Sequence, residues 1–282
     1  MEKFNFAFWG TPKLSAQTLD ILKKSGYIPT VIITTPPQKS GRGLEIKESP
    51  VSLWAKKHNI LCLKPEKIDN IFFNTLSVYN LDLNVVVAYG KILPESIINQ
   101  PKLGTINIHY SLLPKYRGAS PLESALLNGD EITGVSIQQM AFKLDTGSIL
   151  DKEKIEINKN DTKDDLRDKL VDLGGNLLCR IIPKIINKSI NPLIQNENEA
   201  TYCKKIKKED GEIDPSADAK ENFNKYRAFY GWPGIYFFTN RHSKKTRIKI
   251  TQAIYEDNKF IIKKVIPEGK KEIDYDIFMK QN

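Results

Sequence analysis

Cysteine, histidine and tryptophan each occur only three times in this 282-residue chain. Cys62, Cys179 and Cys203 have no Cys-x-x-Cys spacing and no neighbouring histidine pair, which argues against a disulfide framework or a structural zinc. No metal is implied. Cys62 and Cys179 stand among apolar neighbours and are expected as small core residues. No apolar run approaches the roughly 20 residues of a membrane span. Residues 1–9 are interrupted by Glu2, Lys3 and Asn5, which suits a first strand better than a signal peptide. The expectation is a cytoplasmic protein without membrane attachment. Glycine is also missing where a dinucleotide fold needs it. The first turn, Gly10-Thr11-Pro12, carries one glycine of the required G-x-G-x-x-G, so an NAD-dependent enzyme is a weak reading.

What is present is an ordinary soluble composition, 40% hydrophobic and 27% charged, long enough for two domains. The net charge of +9 is uneven. Residues 202–282 hold 18 Lys+Arg against 12 Asp+Glu, leaving 25 against 22 for the other 201. A basic terminal domain attracts polyanions, RNA above all, although lysine-rich sequences also drift basic without a binding role.

Strand and helix patterns alternate through the first 150 residues. Residues 4–9, 30–34, 60–63, 83–88, 105–109 and 134–140 read as strands, and the run at 83–88 suits a central parallel strand covered on both faces. Helices are expected at 15–24, ended by Gly26, after Ser49 as N-cap with Pro50 following, and over 68–79. This is a doubly wound, Rossmann-like α/β pattern. Residues 162–186 form a long helix with Thr162 and Asp165 as a capping box, and Pro183 is expected to end or kink it. Residues 187–198 are polar and aperiodic and read as a surface linker. Beyond them, a helix over 219–229 and strands over 235–238, 247–254 and 259–266 predict a small β-rich domain. The boundaries are therefore 1–186, a linker at 187–206, and 207–282. His58 is expected near a helix end, where its charge suits the dipole. His242 is expected in a hairpin loop, and Trp54 and Trp232 as packing residues.

Residues i and i+2 of a strand share a face, so Asn107 and His109 can converge on one atom. Asp145, in Leu144-Asp145-Thr146-Gly147, is the carboxylate to orient that imidazole. Amide, imidazole and carboxylate together suit acyl transfer through an oxyanion. By residue type alone the three are more often a turn former, a buried histidine and a cap. Their place at the carboxyl end of a strand is where ligands bind in open α/β sheets.

Residues 104–118, Gly-Thr-Ile-Asn-Ile-His-Tyr-Ser-Leu-Leu-Pro-Lys-Tyr-Arg-Gly, resemble the signature of the folate-dependent formyltransferases. Gly10-Thr11-Pro12, residues 85–94, Trp232-Pro233-Gly234 and residues 267–271 extend the resemblance over nearly the whole chain. It implies Asn107, His109 and Asp145 as catalytic residues and 10-formyltetrahydrofolate as donor. The folate is expected in a largely apolar slot lined by the 88–93 segment and residues 138–145. Its candidate contacts are Ala88, Tyr89, Gly90, Ile92, Leu93, Ser111, Leu112, Leu113, Pro114 and Gln138. Lys39, Gly41, Arg42 and Gly43 resemble the loop that contacts tRNA in the branch acting on initiator methionyl-tRNA, with a monomer as the expected form. Tyr110 stands where many members of that family carry glycine, directly after His109, which leaves the width of the pocket there open. The C-terminal domain, of the OB type in the family, is about one hairpin short of a five-stranded barrel. Three rivals remain: a sugar-nucleotide or purine-pathway formyltransferase, a non-catalytic RNA-binding relative, and the NAD-dependent enzyme.

Overall fold

The computed structural model describes residues 4–40, 45–241 and 244–280; Gly41, Arg42, Gly43 and His242 lie outside these. The elements run in chain order as follows. The first stretch holds β1 (Phe6–Gly10), α1 (Lys13–Lys24), β2 (Val31–Ile33), β3 (Gln38–Ser40), β4 (Glu45–Lys47), α2 (Pro50–Lys57) and β5 (Cys62–Leu63). Then come α3 (Asn70–Ser77), β6 (Leu83–Val87), α4 (Glu95–Ile98), β7 (Thr105–His109), β8 (Arg117–Gly118), α5 (Pro121–Leu127), β9 (Ile132–Gln139) and β10 (Ile149–Glu156). The remainder is α6 (Lys163–Ile186), β11 (Tyr202–Cys203), α7 (Ala219–Ala228), β12 (Ile235–Arg241), β13 (Lys244–Glu256), β14 (Lys259–Pro267), β15 (Ile273–Asp274) and α8 (Tyr275–Lys280).

Seven strands make one sheet in the order β10-β9-β7-β6-β1-β2-β5. β1 pairs in parallel with β2 and β6, and β6 in parallel with β7. The all-apolar run of β6 is thus central, as its composition demands. β9 is antiparallel to β7. Periodicity does not distinguish the two directions, and β10, a strand of alternating burial, has no counterpart among the expected strands.

The core around β1 and β6 keeps its buried polar groups paired. Trp9 Nε1 donates to Asn84 Oδ1 at 3.0 Å, and Asn84 Nδ2 donates to the Ile97 carbonyl at 3.1 Å. Gly10 is required by packing: a Cβ there would lie 2.7 Å from Ser15 Cβ and 2.9 Å from the Val87 carbonyl oxygen. Ser15 Oγ uses that space to donate to Val87 O at 2.6 Å. The single glycine of the first turn therefore serves helix packing.

Ser49 caps α2, accepting from the Ser52 N–H, with Pro50 at the first helical position. At α6 the Thr162 N–H donates to Asp165 Oδ2 at 3.0 Å, with Asp165 N–H returning to Thr162 Oγ1. Pro183 does not end α6, which continues to Ile186. A proline so near the C-terminus removes only its own N–H from the ladder.

By packing of the backbone the chain divides into two units, neither a continuous stretch. One holds Met1–Arg117, Gly134–Ile155 and Asp168–Tyr202; the other holds Gly118–Thr133, Glu156–Arg167 and Cys203–Asn282. In the second unit β12, β13, β14 and β15 form an antiparallel sheet of four strands, with a register irregularity between Ile250 and Ala253. Phe278 of α8, a helix that the periodicity does not announce, is buried.

Several expectations are corrected. Cys62 and Cys179 are half-buried, not core residues. Trp54 packs as expected, but Trp232 is 58% exposed. His58 does sit at the end of α2, yet burial and the neighbouring Lys23 push its pKa down, disfavouring the charged form. Residues 187–198 are not simply a surface linker: Leu193 pairs with Ile149, and Gln195 is buried.

Candidate active site

The sheet register assembles the site. Asn107 stands opposite Gln138, and His109 opposite Ser136, across the β7–β9 pair. Opposite residues of an antiparallel pair share a face, with Cβ atoms roughly 4.5–5.5 Å apart. Four polar side chains therefore line one patch. Asp145 reaches it from the loop after β9. Its Oδ1 accepts from Gln138 Nε2 at 2.8 Å and lies 3.7 Å from His109 Nδ1. The side chains of His109 and Asp145 are only 6% and 9% exposed.

The other ring nitrogen is committed elsewhere. His109 Nε2 lies 2.9 Å from the Tyr116 carbonyl oxygen. A carbonyl only accepts, so Nε2 carries a proton, and Nδ1 is the nitrogen turned toward Asp145. Ser136 Oγ accepts from the Leu113 N–H at 2.9 Å and donates to the Ser111 carbonyl at 2.8 Å. Ser111 Oγ in turn donates to the Lys115 carbonyl. These bonds pin the turn at 111–115 onto the strand face.

Three non-glycine residues around the patch hold left-handed backbone: Ala88 (φ 48°), Tyr116 (φ 59°) and Asp145 (φ 52°). Such conformations cost of order 1–3 kcal/mol each and concentrate at functional sites. At Asp145 the geometry is enforced from behind. A Cβ on Gly147 would overlap the Gln139 carbonyl oxygen, so only glycine lets this turn lie flat against β9.

A cavity of about 100 Å³ opens beside the carboxylate. Its wall includes Ile92, Leu93, Met140, Phe142 and Leu144, with Lys91, Gln138 and Asp145 as polar members. The segments around 91–93 and 138–145 thus meet here. Gln138 Oε1 is buried and accepts no hydrogen bond among the described residues. An apolar slot holding one unpaired acceptor fits a flat heteroaromatic ring with N–H groups on its edge. Ala88 and Gly90 form the turn leading to the wall, both with positive φ. The Tyr89 side chain lies in the core, edge-on to Trp9, where burial pushes its phenol up to about 12. Ser111, Leu112, Leu113 and Pro114 stand outside the cavity wall. Tyr110 also lies outside it. Its hydroxyl is buried beside Thr18 of α1, away from that wall.

Sequence reasoning missed a second layer. Arg117 is fully buried, a rare fate for a guanidinium and one its sequence context gives no sign of. Its Nε and Nη2 donate to Gln195 Oε1 at 3.0 and 2.9 Å, and its Nη atoms pair with Glu197 at 2.8 and 2.9 Å. Gln195 Nε2 donates to the Asp145 carbonyl at 2.8 Å and the Gly147 carbonyl at 2.7 Å. Of the residues with the tRNA-loop resemblance, Lys39 lies on β3, and antiparallel β3 and β4 flank residues 41–44.

The chain is similar to known proteins along most of its length. Residues 3–182 match the formyl transferase family, and residues 205–261 match the formyl transferase C-terminal domain. It is 44% identical over 231 residues to the methionyl-tRNA formyltransferase of Sulfurihydrogenibium sp., covering 81% of this chain and 74% of that one. To the same-named protein of Nitrosomonas eutropha it is 40% identical over 247 residues, 87% and 77% of the two chains. Among solved structures, methionyl-tRNA formyltransferase from Clostridium thermocellum superposes with a TM-score of 0.63 at 18% identity, covering 96% of this chain and all of that one. An N-formyltransferase from Helicobacter canadensis, in complex with folinic acid and dTDP-3-aminofucose, gives 0.65 at 21%, covering 90% and 89%. These two share the fold. With its N-terminal and C-terminal models both matched and relatives above 40% identity, the chain belongs to the formyl transferase family.

Proposed function

We infer that this enzyme transfers the formyl group of 10-formyltetrahydrofolate to the α-amino group of initiator methionyl-tRNA, the step that prepares it for translation initiation. The observation that carries the reading is Asn107, His109 and Asp145 meeting beside an apolar cavity, in a chain about 40% identical to methionyl-tRNA formyltransferases. The folate supplies an activated formyl carbon, whose attack by an amine builds negative charge on the formyl oxygen. Ile92, Leu93, Met140 and Leu144 would hold its ring, and Gln138 Oε1 would accept from the ring edge.

The half-buried Asn107 amide is placed to donate to that oxygen. One such donor contributes about 3–4 kcal/mol to lowering the barrier. His109 has its Nε2–H fixed on Tyr116, so Nδ1, the nitrogen beside Asp145, takes the proton the amine loses and passes it to N10 of the departing tetrahydrofolate as the bond from N10 to the formyl carbon breaks. The imidazolium so formed sits 3.7 Å from the Asp145 carboxylate, which stabilises it. Asp145 is itself held by Gln138, so the charge is in place before substrate arrives.

For the acceptor, Lys39, Gly41, Arg42 and Gly43 are proposed as the residues that contact the tRNA backbone. The C-terminal sheet adds cations seated on aromatic rings, Lys245 over Phe238 at 4.4 Å and Arg247 over Tyr236 at 3.6 Å. The enzyme is proposed to act as a monomer. Translation initiation places the reaction in the cytoplasm. Among the described residues no helix is long and apolar enough to cross a membrane.

The test offers labelled 10-formyltetrahydrofolate with initiator methionyl-tRNA and an amino-sugar nucleotide side by side. Label on the tRNA is expected. Label on the sugar alone would keep the chemistry and replace the acceptor.

A further inference from the structure

The polar segment 193–202 does more than join two parts of the chain. Its first contact with the site is Gln195. Arg117 presents only donors, so Gln195 Oε1 must face it, and Nε2 is thereby forced toward the carbonyls of Asp145 and Gly147. The amide cannot turn over without opposing donors to donors and acceptors to acceptors. Arg117 is locked in turn by Glu197, two positions further along the same segment.

Its second contact is Thr201. The Tyr116 N–H donates to Thr201 Oγ1 at 2.9 Å, the Arg117 N–H to the Thr201 carbonyl at 2.8 Å, and the Thr201 N–H to the Pro114 carbonyl. Tyr116 is the left-handed residue whose carbonyl holds His109 Nε2. A tyrosine keeps such a backbone only where its surroundings fix it. One segment therefore grips both the carbonyl that fixes the tautomer of His109 and the turn that carries Asp145.

We propose that residues 193–202 are a positioning strap for the His109–Asp145 pair, with Gln195 as its principal positioning residue and buried Arg117 as the anchor. The proposal rests on the functional reading above and deepens it. His109 and Asp145 are 3.7 Å apart, too far for a tight hydrogen bond of their own, so their separation is set by what holds each from behind. Gln195 touches neither reacting group. It acts through the backbone of Asp145, and its effect exists only while Asp145 has a carboxylate to place.

That dependence supplies the test. Single-turnover transfer of labelled formyl from 10-formyltetrahydrofolate to initiator methionyl-tRNA is measured for Gln195→Leu and Glu197→Gln, each alone and combined with Asp145→Ala. Gln195→Leu keeps the volume and removes both amide groups. It is expected to lower kcat about 10- to 100-fold, the range found for groups that orient catalytic ligands from behind, with KM within about twofold. On the Asp145→Ala background the same change is expected to matter less than about twofold, because coupled residues are not additive. Glu197→Gln, on an exposed side chain, should give a smaller loss that also vanishes on that background. Should Gln195→Leu fail to fold by circular dichroism, the Glu197→Gln cycle decides. The strap is overturned if the wild type is active and the variants match it, if only KM changes, or if the loss is equal on both backgrounds. A wild type that moves no formyl group overturns the functional reading first.

Discussion

The face of β7 and β9 and the face of the C-terminal sheet solve different problems with polar residues. Around the first, three groups are held by buried partners: His109 by Tyr116, Asp145 by Gln138, Gln195 by Arg117. On the second, exposed Lys245 rests on the Phe238 ring and Arg247 on Tyr236, with the cations reached through stacking. Chemistry on a developing charge needs dipoles fixed in advance, because reorganisation at the moment of reaction raises the barrier. Attraction of a polyanion needs charge near a surface and tolerates loose geometry. Changes on the first face should therefore act on kcat, and changes on the second on affinity.

The largest effect is expected at Asp145. Asp145→Ala should lower kcat by about 10²- to 10⁴-fold, the usual worth of a positioned acid–base group, with the KM for methionyl-tRNA nearly unchanged. Steady-state kinetics over both substrates reads this directly, and a KM effect alone would break the contrast. Gly147→Ala comes next. The added Cβ meets the backbone of Gln139, so the turn must move, at about 1–3 kcal/mol of stability by urea unfolding and with a fall in kcat. On the other face, Lys245→Ala with Arg247→Ala should leave kcat at saturation intact. It should raise the KM for tRNA and flatten its salt dependence by about one unit of slope for each phosphate no longer neutralised. A lowered kcat there would mean the two faces are not divided as described.

The smallest effects distinguish two glutamates by pH. Hydrogen bonding to Arg117 holds the Glu197 carboxyl below the usual range. Its contribution to stability is present above the ordinary glutamate value of about 4.3 and is lost as pH falls through the lower folded value. Glu197→Gln should therefore destabilise near pH 7 and matter little in acid. Burial pushes the Glu123 carboxyl up, against the opposing pull of Lys163 and Arg167. A raised pKa favours the fold below about 4.3 and loses that benefit as pH rises through the folded value. Glu123→Gln should raise Tm near pH 7, with the gain closing in acid. Thermal melts of both variants across pH 4 to 8 would show opposite signs, and equal signs would contradict both assignments.

Much of this was legible in the residues. The i, i+2 spacing of Asn107 and His109 places them together on a strand because side chains alternate with period two. The apolar run at β6 could only be central, and Ser49-Pro50 and Thr162 with Asp165 cap their helices through local chemistry. What was not legible depends on partners distant in sequence. The direction of β9 is set by the strand it meets, since alternation looks the same either way. The segment 193–202 reads as a linker because it is polar and aperiodic, yet those polar groups are spent on Arg117, Asp145 and Tyr116, up to 85 residues away. Tyr110 follows His109 directly in the chain. The same alternation that aims His109 at the site sends Tyr110 to the side of α1.

The measurement that bears most directly on the account is single-turnover formyl transfer to initiator methionyl-tRNA, with both substrates saturating, by the wild type and Asp145→Ala. Rapid labelling of the tRNA by the wild type is expected, with a loss of at least about 10²-fold in the variant while the bound amount of tRNA stays the same. Equal rates for the two proteins would contradict it, because the carboxylate beside His109 would then have no part in the reaction.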